Sequence, residues 1–235
     1  EVAWDPRPSP EEVLRLPVVA ARSGPGSWFV VDGYRLDHTY SAALRATGAS
    51  VAVVDDTAES SAYDCDLLLN QNLGAERLAY RINSTAELLR GARYVLLRNE
   101  FRARPWPRRE HPPVADRVLV TMGGGDPDNV TGRVVEALGR PVVSHLQARV
   151  VVGQANARRG DLLSAISVDG ARIEMIERAD MPALMEWASM AVSAAGSTSW
   201  EAAFAGLPSL LIVTARNQEL VARELGRVGA ARSLG

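Results

Sequence analysis

A short apolar run ending at Val192-Ser193 leads into Ala194-Ala195-Gly196-Ser197-Thr198-Ser199-Trp200-Glu201, a small-residue turn opening a helix that carries a carboxylate. Glycine and serine let a backbone come close to a ligand, and a helix start presents N–H groups with a partial positive charge. That combination suits a phosphate. Glu201 comes about one helical turn after Ser197, so it can reach a sugar hydroxyl. Taken alone, the same residues read more readily as an ordinary strand-to-helix turn.

A second candidate is Thr121-Met122-Gly123-Gly124-Gly125-Asp126-Pro127-Asp128-Asn129. Glycines directly after a strand allow a turn that can cradle an anion. Asp126 can cap the next helix, and Pro127 suits its first position, where no N–H is needed. The Asp-Pro-Asp triplet also resembles a metal-binding Asp-x-Asp, but capping explains it without a metal. The spacing is not the GxGxxG fingerprint, which disfavours NAD.

Other polar groups sit where apolar runs end. Val31-Asp32-Gly33-Tyr34 puts Asp32 and Tyr34 at the carboxyl edge of a parallel sheet, where such folds bind ligands. Tyr34 could hydrogen-bond a substrate or water, or be only a half-buried ring; Asp32 could only close a turn. Asp55 and Asp56 follow the next run, but neighbouring side chains on an extended segment point to opposite faces, so they are not expected to act as a pair. Asn70-Gln71-Asn72 follows a third run. In Leu97-Arg98-Asn99-Glu100-Phe101, Arg98 could meet a phosphate or Glu100, and a structural ion pair is the simpler reading. Asn217-Gln218-Glu219 could cap the last helix or offer amides to a bound sugar. His38, His111 and His145 are scattered, with no metal-like spacing among them. No nucleophile elbow occurs, which disfavours a serine hydrolase.

These groups need a scaffold. At 235 residues the chain suits one large domain or two small ones, and 47% hydrophobic with 23% charged residues is the balance of a soluble globular protein. A net charge of −2 supplies no basic field for nucleic acid. All 26 basic residues are arginine, which removes lysine-based Schiff-base and P-loop schemes. One cysteine, Cys65, excludes internal disulfides and cysteine metal clusters. No apolar run approaches a membrane span and no signal peptide is visible, so no membrane insertion and a cytoplasmic location are expected. The start at Glu1 and the stop at Gly235 after a helix-like segment suggest a fragment.

Apolar strands alternate with helix-like segments from Trp28 onward. Strands are expected at Trp28–Asp32, Val51–Val54, Leu67–Leu69 and Tyr94–Leu97. After the proline- and arginine-rich stretch, strands follow at Val118–Thr121, Arg149–Val152, Ile173–Ile176, Met190–Ser193 and Leu210–Val213. Pro105, Pro107, Pro112 and Pro113 rule out a helix or central strand across Phe101–Val114. The alternation predicts an α/β fold with parallel sheets. Two Rossmann-like domains would face a cleft: a partial first domain over 1–104, a hinge over 105–116, and a nucleotide-binding domain over 117–235.

The ordered series Val31–Tyr34, Val54–Asp56, Cys65–Asn72, Leu97–Phe101, Met122–Asp126 and Ser193–Gly206 with Asn217-Gln218 resembles the pseudaminic-acid-pathway UDP-sugar hydrolases. Those enzymes remove UDP from UDP-2,4-diacetamido-2,4,6-trideoxy-β-L-altropyranose, and their wider group includes spore coat polysaccharide biosynthesis proteins with the two-domain GT-B fold. The resemblance implies a UDP-sugar as substrate, hydrolysed at the anomeric carbon with no metal and no cofactor. It implies that Ser197, Thr198 and Glu201 hold the diphosphate and ribose, that Gly123, Gly124 and Gly125 line the phosphate site, and that the main chain at Met175 and Ile176 meets the uracil. Tyr34 and Asn217 would face the sugar and attacking water, with Asp32 and Gln218 also on the sugar. The family opens with a glycine-rich loop bearing a histidine; nothing like it precedes Trp28, and Glu1–Arg22 looks like a later part of the first domain. Alternative readings are a glycosyltransferase using the same donor site, or a nucleotide-sugar binding protein without catalysis.

Overall fold

The computed structural model describes residues 26–33, 36, 38–83, 85–168 and 172–235, together with Val18. The chain divides into two compact units, Glu1–Leu96 and Leu97–Gly235. Among the described residues, no helix is long and apolar enough to cross a membrane.

In the first unit, β1 (Trp28–Asp32), β2 (Ser50–Val54), β3 (Leu67–Asn70) and β4 (Glu87–Arg90) form a parallel sheet in that spatial order. Helix α1 (His38–Arg45) connects β1 to β2 and buries Leu44 with Val31, Val51, Val53 and Leu68. Its last residue, Arg45, pairs with Asp64 and with Asp66, the latter at 3.0 Å. Asp66 also accepts from the Val51 N–H at 2.8 Å, so one carboxylate ties the helix end to β2.

The expected fourth strand at Tyr94–Leu97 does not form. Tyr94 closes a 3-10 turn over Ala92–Tyr94, and the strand is instead Glu87–Arg90. Leu88 and Leu89 pair with Leu68 and Leu69 and fill the place beside β3. The polar ends Glu87 and Arg90 mask that short apolar core in the sequence, whereas Tyr94–Leu97 looks more strand-like than its surroundings allow.

The second unit is a parallel sheet of β5 (Arg117–Thr121), β6 (Gln147–Val151), β7 (Ile173–Ile176), β8 (Met190–Ala194), β9 (Ser209–Ile212) and β10 (Arg232–Ser233). Their spatial order is β10-β9-β8-β5-β6-β7. Val118, Leu119 and Val120 in central β5 are at most 1% exposed, as expected of a strand covered on both faces. Its helices are α2 (Asn99–Arg102), α3 (Val130–Leu138), α4 (Arg159–Val168), α5 (Met181–Trp187), α6 (Thr198–Phe204) and α7 (Glu219–Arg227). Asp180 caps α5 by accepting from the Ala183 N–H at 3.0 Å, with Pro182 in its first turn. The two-residue β10 had no periodic signal to reveal it.

The stretch read as a hinge is extended and irregular, as its prolines require, but it is tied to the second unit. Phe101, which the sequence reading put within the first domain, is fully buried in α2 among Leu119, Met185 and Leu207. Trp106 stacks on Phe101 with ring centroids 5.7 Å apart and donates its indole N–H to the Phe101 carbonyl at 2.8 Å. Arg109 donates to the carbonyls of Met185, Ala188 and Ala205, meeting the negative ends of α5 and α6. Burial, with Arg117 adding to it, lowers the Arg109 guanidinium from its ordinary value, yet those carbonyls satisfy its N–H groups. The compact units accordingly divide at Leu96–Leu97, upstream of the prolines.

Two outcomes follow from this packing. Phe101→Ala is expected to destabilise the second unit by about 3–5 kcal/mol, read as a lower urea midpoint for its transition. Cys65 is fully buried, and burial pushes its thiol up to about 11. At about pH 8 the native thiol is therefore neutral and unreactive toward a disulfide reagent, and it should react only when urea unfolds the first unit.

Candidate functional site

All strands of the second unit run parallel, so every loop that follows a strand emerges on one edge of the sheet. After β5 the chain adds β6 and β7 on one side, then crosses to the other side for β8, β9 and β10. The order therefore reverses between β5 and β8. Loops diverge there and leave a crevice at the carboxyl ends of the strands, the place where open parallel sheets bind ligands.

The loop after β5 carries Gly123, Gly124 and Gly125; the turn after β8 carries Gly196, Ser197 and Thr198. These two segments are neighbours across the reversal. Gly123 takes φ +83°, and a Cβ added at Gly123, Gly124 or Gly125 would meet nothing within 4 Å. Protein crowding therefore does not explain the glycine triplet. The space beside it is open to a ligand.

Asp126 accounts for the acidic triplet. Its buried carboxylate accepts from the N–H groups of Val130 at 2.8 Å and Thr131 at 2.9 Å, capping α3 from four residues before it. The positive end of α3 thus already faces an internal anion. Helix α3 begins at Val130, so Pro127 lies in the preceding turn and not at the first helical position expected for it. No side chain caps α6, whose first turn follows Ser197; Ser199 donates instead to the Gly196 carbonyl. Of these two helix starts, α6 is the one left open toward an external anion.

Glu201 lies within α6 at 5% exposure. Its carboxylate accepts two hydrogen bonds from Arg98, from Nε at 2.6 Å and from Nη2 at 2.8 Å. Arg98 also meets Glu100 through Nη1 at 3.0 Å, the contact read from sequence, but the buried Glu201 is its two-point partner. That hydrogen bonding raises the Arg98 guanidinium above its ordinary value.

Further candidates lie along the same edge. Gln218 accepts from the Thr214 N–H at 2.9 Å and hydroxyl at 3.1 Å, so it does not cap α7 as one reading held. Its amide nitrogen lies 3.8 Å from where a Cβ on Gly196 would sit. Asn217 occupies the same 3-10 turn, Arg216–Gln218. Met175 and Ile176 end β7, the edge strand among the described residues, and pack against opposite faces of the sheet. Two strand spacings, about 10 Å, separate β7 from β5.

One residue went unread in the sequence. Gly153 follows β6, and a Cβ there would overlap the Gly124 carbonyl and lie 2.6 Å from the Gly124 Cα. Gly153 therefore fixes how deeply the glycine loop sits. A glycine directly after a strand was the available signal. Nothing local could have joined Arg98 to Glu201.

In the first unit, Asp32, Asp55 and Asp56 gather at the carboxyl ends of β1 and β2, around a cavity of about 330 Å³ also lined by His38 and Tyr63. Asp55 accepts from the Thr57 and Ala58 N–H groups and from the Tyr63 hydroxyl, whereas Asp56 accepts from Asn72 Nδ2 at 2.9 Å. The adjacent carboxylates thus serve separate partners. Desolvation, then the Asp56 charge, raises the Asp32 carboxyl above its ordinary range. Tyr34 and residues 1–17 and 19–25 lie outside the described residues.

Residues 120–234 match the Glycosyltransferase family 28 C-terminal domain. The chain is 26% identical over 193 residues to the spore coat polysaccharide biosynthesis protein SpsG of Bacillus subtilis (strain 168), covering 80% of this chain and 56% of that protein. It is 24% identical over 192 residues to the uncharacterized protein MJ1062 of Methanocaldococcus jannaschii, covering 78% of this chain and 39% of that protein. It therefore spans little more than half, or less, of the curated relatives it matches. Among solved structures it is similar to Acinetobacter baumannii MurG, with a TM-score of 0.57 at 14% identity over 95% of this chain and 63% of that one. It is also similar to the Streptomyces sp. SF2575 glycosyltransferase SsfS6, with a TM-score of 0.53 at 12% identity over 95% of this chain and 62% of that one. At those identities the likeness establishes the fold. The chain has the α/β fold of the GT-B proteins, with a second unit that matches the family 28 C-terminal domain from residue 120 to residue 234.

Proposed function

We propose that this chain acts on a UDP-activated sugar, holding UDP at the carboxyl edge of its second unit while the bond from the anomeric carbon to the diphosphate is broken. The observation that carries the reading is the meeting of the open glycine loop and the uncapped start of α6 at the strand-order reversal. Gly123, Gly124 and Gly125, with the N–H groups at Ser197 and Thr198, take the diphosphate. Glu201 takes the ribose, the main chain at Met175 and Ile176 takes the uracil, and Asn217 and Gln218 serve the sugar side. The name of the matching family domain supports a sugar-transfer lineage, and the name of the SpsG relative supports a role in polysaccharide biosynthesis.

Water is the acceptor in the preferred reading, which rests on the resemblance of the ordered motifs to those of UDP-sugar hydrolases. Its oxygen bonds to the anomeric carbon, the carbon–oxygen bond to the diphosphate breaks, and the electron pair leaves on the phosphate oxygen. The water's proton passes to a base. Charge growing on the diphosphate is met by backbone N–H groups already aimed at it, which requires no reorganisation during the reaction. In a second reading, favoured by the glycosyltransferase family domain, an acceptor hydroxyl takes the place of water.

Incubating the full native protein with a panel of UDP-sugars and no acceptor tests the choice. Steady UDP release is expected; release only after an acceptor is added means transfer, and UDP binding without release in either case means a binding protein. Failure to bind UDP in calorimetry overturns the site itself. Gly153→Ala, whose Cβ would push against the Gly124 carbonyl, should weaken UDP binding by about tenfold, the equivalent of about 1.4 kcal/mol.

A further inference from the structure

We infer that Arg98 is a positioning residue for nucleotide recognition: its guanidinium locks the Glu201 carboxylate and leaves each carboxylate oxygen a second acceptor position for the paired hydroxyls of a ribose. The inference rests on the UDP site proposed above and adds to it a residue distant in sequence. A carboxylate offers about four lone-pair positions, and the two-point contact with Arg98 uses only one on each oxygen. A vicinal diol donates two hydrogen bonds at a similar spacing, so one carboxylate can stand between a guanidinium and a ribose.

Arg98 is suited to this because it is itself held on several sides. Nε and Nη2 serve Glu201, Nη1 reaches Glu100 at 3.0 Å, and the guanidinium carbon lies 5.3 Å from the ring centroid of Phe101. Phe101 is fully buried and stacked on Trp106. Glu201 shares α6 with Ala202, which packs in the same core cluster as Phe101. The planar fork of arginine fixes both carboxylate oxygens at once, whereas a lysine would fix a single point.

The test compares UDP with 2′-deoxy-UDP and 3′-deoxy-UDP by calorimetry on the full native protein, as wild type, Arg98→Gln and Arg98→Lys. Wild type should prefer UDP to either deoxynucleotide by about tenfold or more, because each lost hydroxyl is a hydrogen bond to a charged acceptor. Arg98→Gln should shrink that preference to about twofold while its affinity for 2′-deoxy-UDP changes by less than about threefold, and Arg98→Lys should fall between. An ion pair that only supported the fold would weaken all three nucleotides alike. If wild type binds none of them, the UDP site itself is wrong. If wild type binds all three equally, Glu201 is not on the ribose and this inference falls while the site stands. Retention of the full preference in a folded Arg98→Gln protein overturns it as well. Should Arg98→Gln fail to fold by circular dichroism, Arg98→Lys carries the comparison; if neither folds, Arg98 serves folding and the inference falls.

Discussion

The parallel direction of the strands in the second unit is the constraint on which everything else hangs. Parallel pairing sends each chain crossing back over a sheet face, so all the loops that follow strands collect on one edge. The reversal between β5 and β8 then separates two of those loops and opens space between them. Segments far apart in the chain, at Gly123, Gly153, Gly196 and Gln218, become neighbours without any direct attraction between them. Their proximity follows from backbone hydrogen bonding across the sheet.

Within that edge, the allocation of charge decides what remains open. Asp126, just before α3, and Glu201, within α6, are both buried carboxylates, and each is satisfied differently. Asp126 spends its charge on two backbone N–H groups of α3, so that helix end faces an internal anion. Glu201 sits inside α6 and is neutralised by a side chain, which leaves the first turn of the helix uncapped. Had Ser197 or Thr198 been an aspartate folded over that turn, the two helix starts would be alike. A buried charge without a partner is costly, so the Arg98 pairing is a condition for keeping Glu201 where it is.

The proline-rich stretch supplies that partner indirectly. Its prolines forbid regular structure, but its aromatic and arginine side chains do not leave it loose. Phe101 and Trp106 place an apolar anchor against the second unit, and Arg109 satisfies helix-end carbonyls that would otherwise lack partners. Arg98 lies just upstream of this anchor. Irregular backbone and firm attachment coexist here because one depends on φ restriction and missing N–H groups, the other on side-chain burial.

Residue order alone was enough for most of the elements and for the chemistry available at their ends. The apolar runs at Trp28–Asp32 and Ile173–Ile176 were legible residue for residue, because burial on a regular element writes its own periodicity. Asp126 was legible as a cap because capping is local, although Pro127 precedes the first turn of α3 instead of opening it. Packing decided what has no local signal: β4 in place of Tyr94–Leu97, the attachment of Phe101 to the second unit, the close approach of Gly153 to Gly124, and the union of Arg98 with Glu201. Each of these depends on which surfaces meet after the sheets assemble. A residue's type restricts the partners it can accept, but only the packed chain brings one of them within reach.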